Sequence, residues 1–161
     1  MLKKYFSLGF LLGTIILVVC SGNVKTETQS MVIEESEETL VKATEQELLS
    51  SNNGISIKTE KEQYKTTDNE ITVNFQNESQ DEFTYGEGFY LERNINGTWY
   101  SYPFKEDIAV IDTGYTLQLN EKKSKTCLLS SLKEKLVTGE YRVIQSFGAT
   151  YVAAPFEVIK E

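Results

Sequence analysis

Leu136-Val137-Thr138-Gly139-Glu140-Tyr141-Arg142-Val143-Ile144-Gln145-Ser146-Phe147 reads as a corner followed by a strand. Gly139 offers a backbone that takes positive φ without a Cβ penalty. Tyr141 stands two residues further on, at the head of an extended run with Val143, Ile144 and Phe147. In β-sandwiches a Tyr at this place returns its hydroxyl to the backbone of the preceding loop, the tyrosine corner. A core Tyr after an ordinary turn is the plainer reading of the same residues. The surroundings favour the corner, because short strand patterns run from Ile55 to the C-terminus, the length of one sandwich domain.

Working outward, Ile55-Ser56-Ile57-Lys58-Thr59 and Ile71-Thr72-Val73-Asn74-Phe75 alternate apolar and polar residues, the period of half-buried strands. Phe83-Thr84-Tyr85 restarts the alternation, and Gly86 and Gly88 bracket a bend. Phe89 to Arg93 leads into Asn96-Gly97, a pair suited to a type I′ hairpin, and Thr98-Trp99-Tyr100-Ser101-Tyr102 is the returning strand. Lys105 to Gly114 is an irregular connection, Tyr115 to Leu119 a strand, Lys122 to Ser124 a charged turn, and Lys125 to Leu129 extended. Ser131 and Glu134 have capping-box spacing, which predicts one helical turn ending before Gly139. Tyr151 to Ile159 closes the chain; Pro155 cannot donate to a ladder, which places this strand at a sheet edge. About seven to nine short strands without a βαβ pattern predict an all-β, antiparallel sandwich over residues 55–161.

The N-terminal part has a different character. Lys3 and Lys4 precede an apolar run from Tyr5 to Val19, shorter than the roughly 20 residues of a spanning helix and suited to a signal peptide. Leu17-Val18-Val19-Cys20 resembles the lipobox of bacterial lipoproteins, with Val19 standing where that family has a small residue. The resemblance implies a signal peptide over residues 1–20 and acylation of Cys20. Cleavage after Ser21 by ordinary signal peptidase, or an uncut anchor, are the alternatives. All three place the remaining chain outside the cytoplasmic membrane, on its outer face if Cys20 is acylated and secreted if it is not. Residues 21–54 are rich in Glu, Ser and Thr and lack aromatics, which predicts a flexible acidic linker. If flexible, it spans roughly 30 Å root-mean-square.

Three stretches carry a second resemblance: Tyr85-Gly86-Glu87-Gly88-Phe89-Tyr90-Leu91-Glu92, Asn96-Gly97-Thr98-Trp99-Tyr100 and Thr138-Gly139-Glu140-Tyr141-Arg142-Val143. In this order they are similar to the bacterial immunoglobulin-like domains of Gram-positive lipoproteins and membrane-anchored proteins. The resemblance covers roughly Ile55 to Ile159. It implies an immunoglobulin-like β-sandwich and no catalytic residues.

Composition narrows the chemistry. The net charge of −8 opposes nucleic-acid binding, which demands Lys and Arg. With no histidine in 161 residues, Ser-His and Cys-His nucleophiles and His-ligated metals are excluded. Of the two cysteines, Cys20 lies in the leader, so no disulfide forms within the domain. Cys127, beside Leu128 and Leu129, reads as a core residue. Glu106, Asp107 and Asp112, and likewise Asp81 and Glu82, lack calcium-loop spacing and read as solvated loops. Asn77-Glu78-Ser79 and Asn96-Gly97-Thr98 match the glycosylation pattern but read as loop residues behind a bacterial leader.

No cofactor is expected. The aromatic hairpin is the candidate binding surface. Alternation sends Trp99 and Ser101 to one face and Tyr100, Tyr102 and Phe104 to the other, and a two-layer sandwich buries only one face. Either the loop from Lys105 to Gly114 covers the second face, or these aromatics are exposed to a partner. The reading is a non-enzymatic lipoprotein, anchored to the membrane through its N-terminal lipid, that binds a protein or glycan or acts as a spacer. An inhibitor or immunity-type protein acting on an extracellular enzyme is the alternative, and a small carboxylate-dependent hydrolase the weaker one.

Overall fold

Alternating burial along the chain builds two packed sheets and a small ribbon. The computed structural model describes residues 40–106 and 113–161, all within one compact unit. The signal peptide, Cys20, the linker up to Thr39, Asp107 and Asp112 lie outside the described residues. The strands are β1 (Val41–Lys42), β2 (Ser51–Asn52), β3 (Ile55–Thr59), β4 (Gln63–Lys65), β5 (Glu70–Asn77), β6 (Phe83–Gly86), β7 (Tyr90–Ile95), β8 (Thr98–Ser101), β9 (Gly114–Leu117), β10 (Lys122–Leu128), β11 (Gly139–Phe147) and β12 (Thr150–Ile159). One sheet has the order β1-β8-β7-β11-β12-β4, the other β10-β5-β3-β2, and β6 pairs with β9 as a ribbon. Pairing is antiparallel except between β12 and β4.

The core lies between the inner faces. On β5, Ile71, Val73 and Phe75 are buried while Thr72, Asn74 and Gln76 are half-buried, the period of two seen in the sequence. Opposite them stand Tyr141, Val143 and Phe147 of β11 and Val152, Ala154, Phe156 and Val158 of β12. Ring contacts tie the layers: Phe75 meets Phe147 and Tyr85 edge-on, and Tyr141 stacks on Phe156. The Asn96-Gly97 pair turns with φ of 54° and 83°, as a type I′ hairpin requires. Gly139 has φ of 151°, and Tyr141 is fully buried with its hydroxyl donating to the Val137 carbonyl at 2.9 Å. A Tyr held this way is the corner geometry.

Several expectations are corrected. Residues 40–54 are not linker: β1 extends the larger sheet beyond β8, and β2 forms a hairpin with β3 through Asn53-Gly54. Those two residues have φ of 49° and 77°, the same turn chemistry as Asn96-Gly97. The segment lacks aromatics, so its composition hid a role that rests on backbone pairing. Lys122 to Ser124 is strand, paired with Asn74 to Gln76, and the turn falls earlier, around Asn120 at φ 57°. The helical turn is a 3₁₀ turn at Leu129–Ser131 instead. Leu132 is extended and buried and bridges to Phe104, so packing overrides the capping spacing. The final strand is not the sheet edge, because β4 pairs with Glu157 to Ile159. Pro155 is accommodated between two outward N–H groups, Ala153 donating to Leu49 and Glu157 donating to Glu62, at a position where no donor is used.

Candidate binding surface

The hairpin residues divide between core and outer face as their alternation requires, but few are open to a partner. Tyr102 is in the core, stacked edge-on against Tyr141, with its hydroxyl donating to Lys135 O at 2.8 Å. Phe104 is half-buried and meets Phe89. Tyr100 is also half-buried. Tyr102 is therefore withdrawn from the binding surface, and Phe104 contributes to packing; both lie on the inner side, where the sandwich closes.

Trp99 takes the outer face, and there the cover is a charged clasp. The Arg142 guanidinium lies 4.3 Å from the Trp99 ring centroid, a cation–π contact. Arg142 Nε and Nη2 both lie 2.6 Å from Glu92 Oε2, and both side chains are buried. Register explains the meeting: Arg142 pairs with Glu92, and Glu92 with Ser101, so all three point to one face of neighbouring strands. Two further guanidinium hydrogens go to backbone, Nη1 to Gln46 O at 3.0 Å and Nη2 to Glu45 O at 2.5 Å. Residues 43–49 thus cross the outer face as a strap. Ala43 N–H donates to Trp99 O at one side, and Leu49 O accepts from Ala153 at the other.

Beyond the strap the outer face stays open. Tyr90 on β7 is 60 % exposed and Tyr151 on β12 is 45 % exposed. Tyr90 is opposite Ile144 and Tyr151 opposite Ser146, so both tyrosines flank β11 on the same face as Arg142. The sequence offered a signal for Tyr90, which sits in an aromatic run, but none for Tyr151. Nothing in the sequence announced Arg142, Glu92 and Gln46 as a set, since they are brought together only by the sheet.

Among the described residues, the remaining candidates are placed as follows. Cys127 is buried, and burial pushes its thiol up to about 12, so it is a thiol and not a thiolate at neutral pH. Asp81 and Glu82 are exposed. Asn77 is buried and organises its loop: its amide nitrogen donates to Asp81 O, and its amide oxygen accepts from Ser79. Lys125 is buried with its ammonium donating to Gly88 O and Gln145 Oε1, each at 2.8 Å, and burial pushes its pKa down. Among the described residues no three His, Cys, Asp or Glu side chains gather as a metal set.

A family model described as bacterial Ig-like domain matches residues 51–157. The chain belongs to this family. The bacterial Ig-like domain accounts for the sandwich. The match begins at Ser51, so the strap precedes it. No curated protein matches the chain. Among solved structures, similar chains include a β-glucosidase from Erythrobacter marinus, at 11 % identity and TM-score 0.40 over 66 % of this chain and 15 % of that one. A β-glucosidase from Listeria innocua in complex with gluconolactone aligns at 15 % identity and TM-score 0.35 over 65 % of this chain and 16 % of that one. This Ig-like chain therefore spans about a sixth of those enzymes, and at such scores the likeness carries no inference about activity.

Proposed function

We propose that the chain is a non-catalytic extracytoplasmic lipoprotein that presents its Ig-like domain for protein or glycan binding. The observation that carries the binding half is the pair Tyr90 and Tyr151, exposed together on the outer face of the larger sheet. Tyr supplies contact area at low conformational cost and also stacks on sugar rings. A domain serving only as spacer has no need of two exposed rings on one sheet face. The net charge of −8 favours a cationic or neutral partner over an anionic one. The anchoring half rests on Lys3, Lys4, the apolar run and Cys20. Two acyl chains hold a protein at a membrane far more stably than one.

Two experiments test the halves separately. Cys20→Ala should move the protein from the membrane fraction to the medium or leave an unprocessed precursor. Wild type that takes up no palmitate analogue would end the anchoring reading. For binding, envelope extract is passed over the full domain and over a Tyr90→Ser, Tyr151→Ser variant of equal stability. Retention of the same protein or glycan by both would remove the tyrosine face from the function.

A further inference from the structure

Tyr90, Ile144 and Ala153 form one row across β7, β11 and β12, and Ser146 and Tyr151 form the next row toward the sheet end. Tyr90 is the first residue of β7, so the second row has no β7 member. The two exposed tyrosines therefore stand at opposite corners of a small field, two strands apart across the sheet and two residues apart along it. Strand spacing and rise place their backbones roughly 12 Å from each other. Ile144 and Ala153 are buried and Ser146 is half-buried, so the two rings are the main part of the field that solvent reaches. None of these five outward side chains is charged, in a chain with 25 % charged residues. Glu92, further along β7, is already paired with Arg142, and the strap that borders the field carries the exposed Glu45 and Glu47. A charged ligand thus finds no counter-ion here, and a polyanion meets carboxylates at the margin. Size selects further. The field measures roughly 10 Å by 7 Å between backbones, whereas a stable protein interface covers about 800 Å² on each partner and centres on side chains seated in desolvated pockets. A folded protein using this field would have to extend over the carboxylates of the strap. A sugar ring, in contrast, offers a flat C–H face that matches one phenol ring, and hydroxyls at its rim that Ser146 and the tyrosine hydroxyls can answer.

We infer that this field is a carbohydrate site, and that its ligand is a neutral glycan at least three sugars long that lies diagonally from Tyr90 to Tyr151 with one sugar stacked on each ring. The inference rests on the reading of the chain as a binding module and names its ligand class. A sugar ring and a phenol ring are similar in width, so two adjacent sugars do not reach both tyrosines at this separation. One sugar has to bridge between them, over Ile144 and Ser146. A disaccharide engages one tyrosine at a time and gains nothing from the second. Each stacking contact is weak singly, and joining the two through one glycan makes the second contact intramolecular.

The test immobilises the full chain, and variants with Tyr90→Ser and Tyr151→Ser singly and together, and offers them envelope extract digested to completion with protease. Retained material is hydrolysed and analysed for sugars and amino acids. Wild type should retain an uncharged sugar polymer. Each single Ser variant should bind the recovered glycan about tenfold more weakly, and the double variant more weakly still. Tyr90→Phe with Tyr151→Phe keeps both ring faces and should bind nearly as wild type does, which separates stacking from a hydroxyl contact. Trimming the recovered glycan from three sugars to two should cost at least about tenfold. Near-UV dichroism checks that each variant is folded, and the Phe variant keeps the test decisive if a Ser variant is not. Recovered material that lacks sugar or carries charge, a Phe variant as weak as the Ser variants, or equal binding of two and three sugars overturns the proposal. Tyrosine-dependent capture that protease digestion abolishes overturns the glycan site and leaves the binding module standing. No capture by wild type, or capture equal in wild type and the Ser variants, removes both.

Discussion

Tyr141 shows how a single hydroxyl fixes a corner. Its O–H donates to Val137 O across four residues while its ring fills the space between Phe156 and Tyr102. Tyr141→Phe keeps the ring and should cost about 1 kcal/mol, read as a lower denaturant midpoint at constant slope. Tyr141→Leu should cost more, because it also leaves a cavity. Gly54 makes a sharper case than Gly97. Both have positive φ, at 77° and 83°, but a Cβ on Gly54 would lie 2.7 Å from Ser79 Cβ, whereas one on Gly97 meets nothing within 4 Å. Gly97→Ala should cost about 1–2 kcal/mol from the backbone alone. Gly54→Ala should cost measurably more, and equal costs would mean the Ser79 backbone yields freely. Cys127, with its thiol pushed up to about 12 and no accessible surface, should resist alkylation in the folded protein and react only on unfolding.

At the scale of elements, β11 carries the most instructive pattern. It is buried on both faces from Tyr141 to Gln145, although a sandwich strand ordinarily shows one face to water. The inner face packs on the second sheet, and the outer face is closed by the strap and the Arg142–Glu92 pair. Removing one partner of such a pair strands a buried charge, whereas removing both does not. Arg142→Met should therefore lower stability by about 3–5 kcal/mol, and Arg142→Met combined with Glu92→Leu should recover part of that loss. A double variant no more stable than the single one would show that the carbonyl bonds to Glu45 and Gln46, not the ion pair, dominate the clasp.

At the scale of the whole molecule, the domain extends beyond the family match. A chain beginning at Ser51 keeps both sheets but loses β1, the strap and the carbonyls that Arg142 uses. It should fold yet be less stable than a chain beginning at Leu40 by at least about 1.5–3 kcal/mol, the worth of one of the two hydrogen bonds that Arg142 loses. Equal midpoints would mean that water replaces the strap without loss. The same geometry relocates the open surface. The strap, not the aromatic hairpin, decides which part of the outer face is covered, and Tyr90 and Tyr151 are what it leaves uncovered.

The residues alone determined the all-β class, the Asn96-Gly97 hairpin, the corner at Gly139 and Tyr141 and the core role of Cys127. Each depends on information carried within a few neighbouring positions: a period of two, a turn pair, a small apolar side chain among others. The tertiary structure decided what depends on distant pairing. Arg142, Glu92 and Trp99 are separated by up to fifty positions, and only strand register sets them on one face. Residues 40–54 look solvated because their attachment runs through main-chain groups, which every residue possesses and no composition reveals. For the same reason Lys122 to Ser124 passed for a turn: edge strands carry lysine on their open side, so a strand and a charged loop look alike until the ladder is seen.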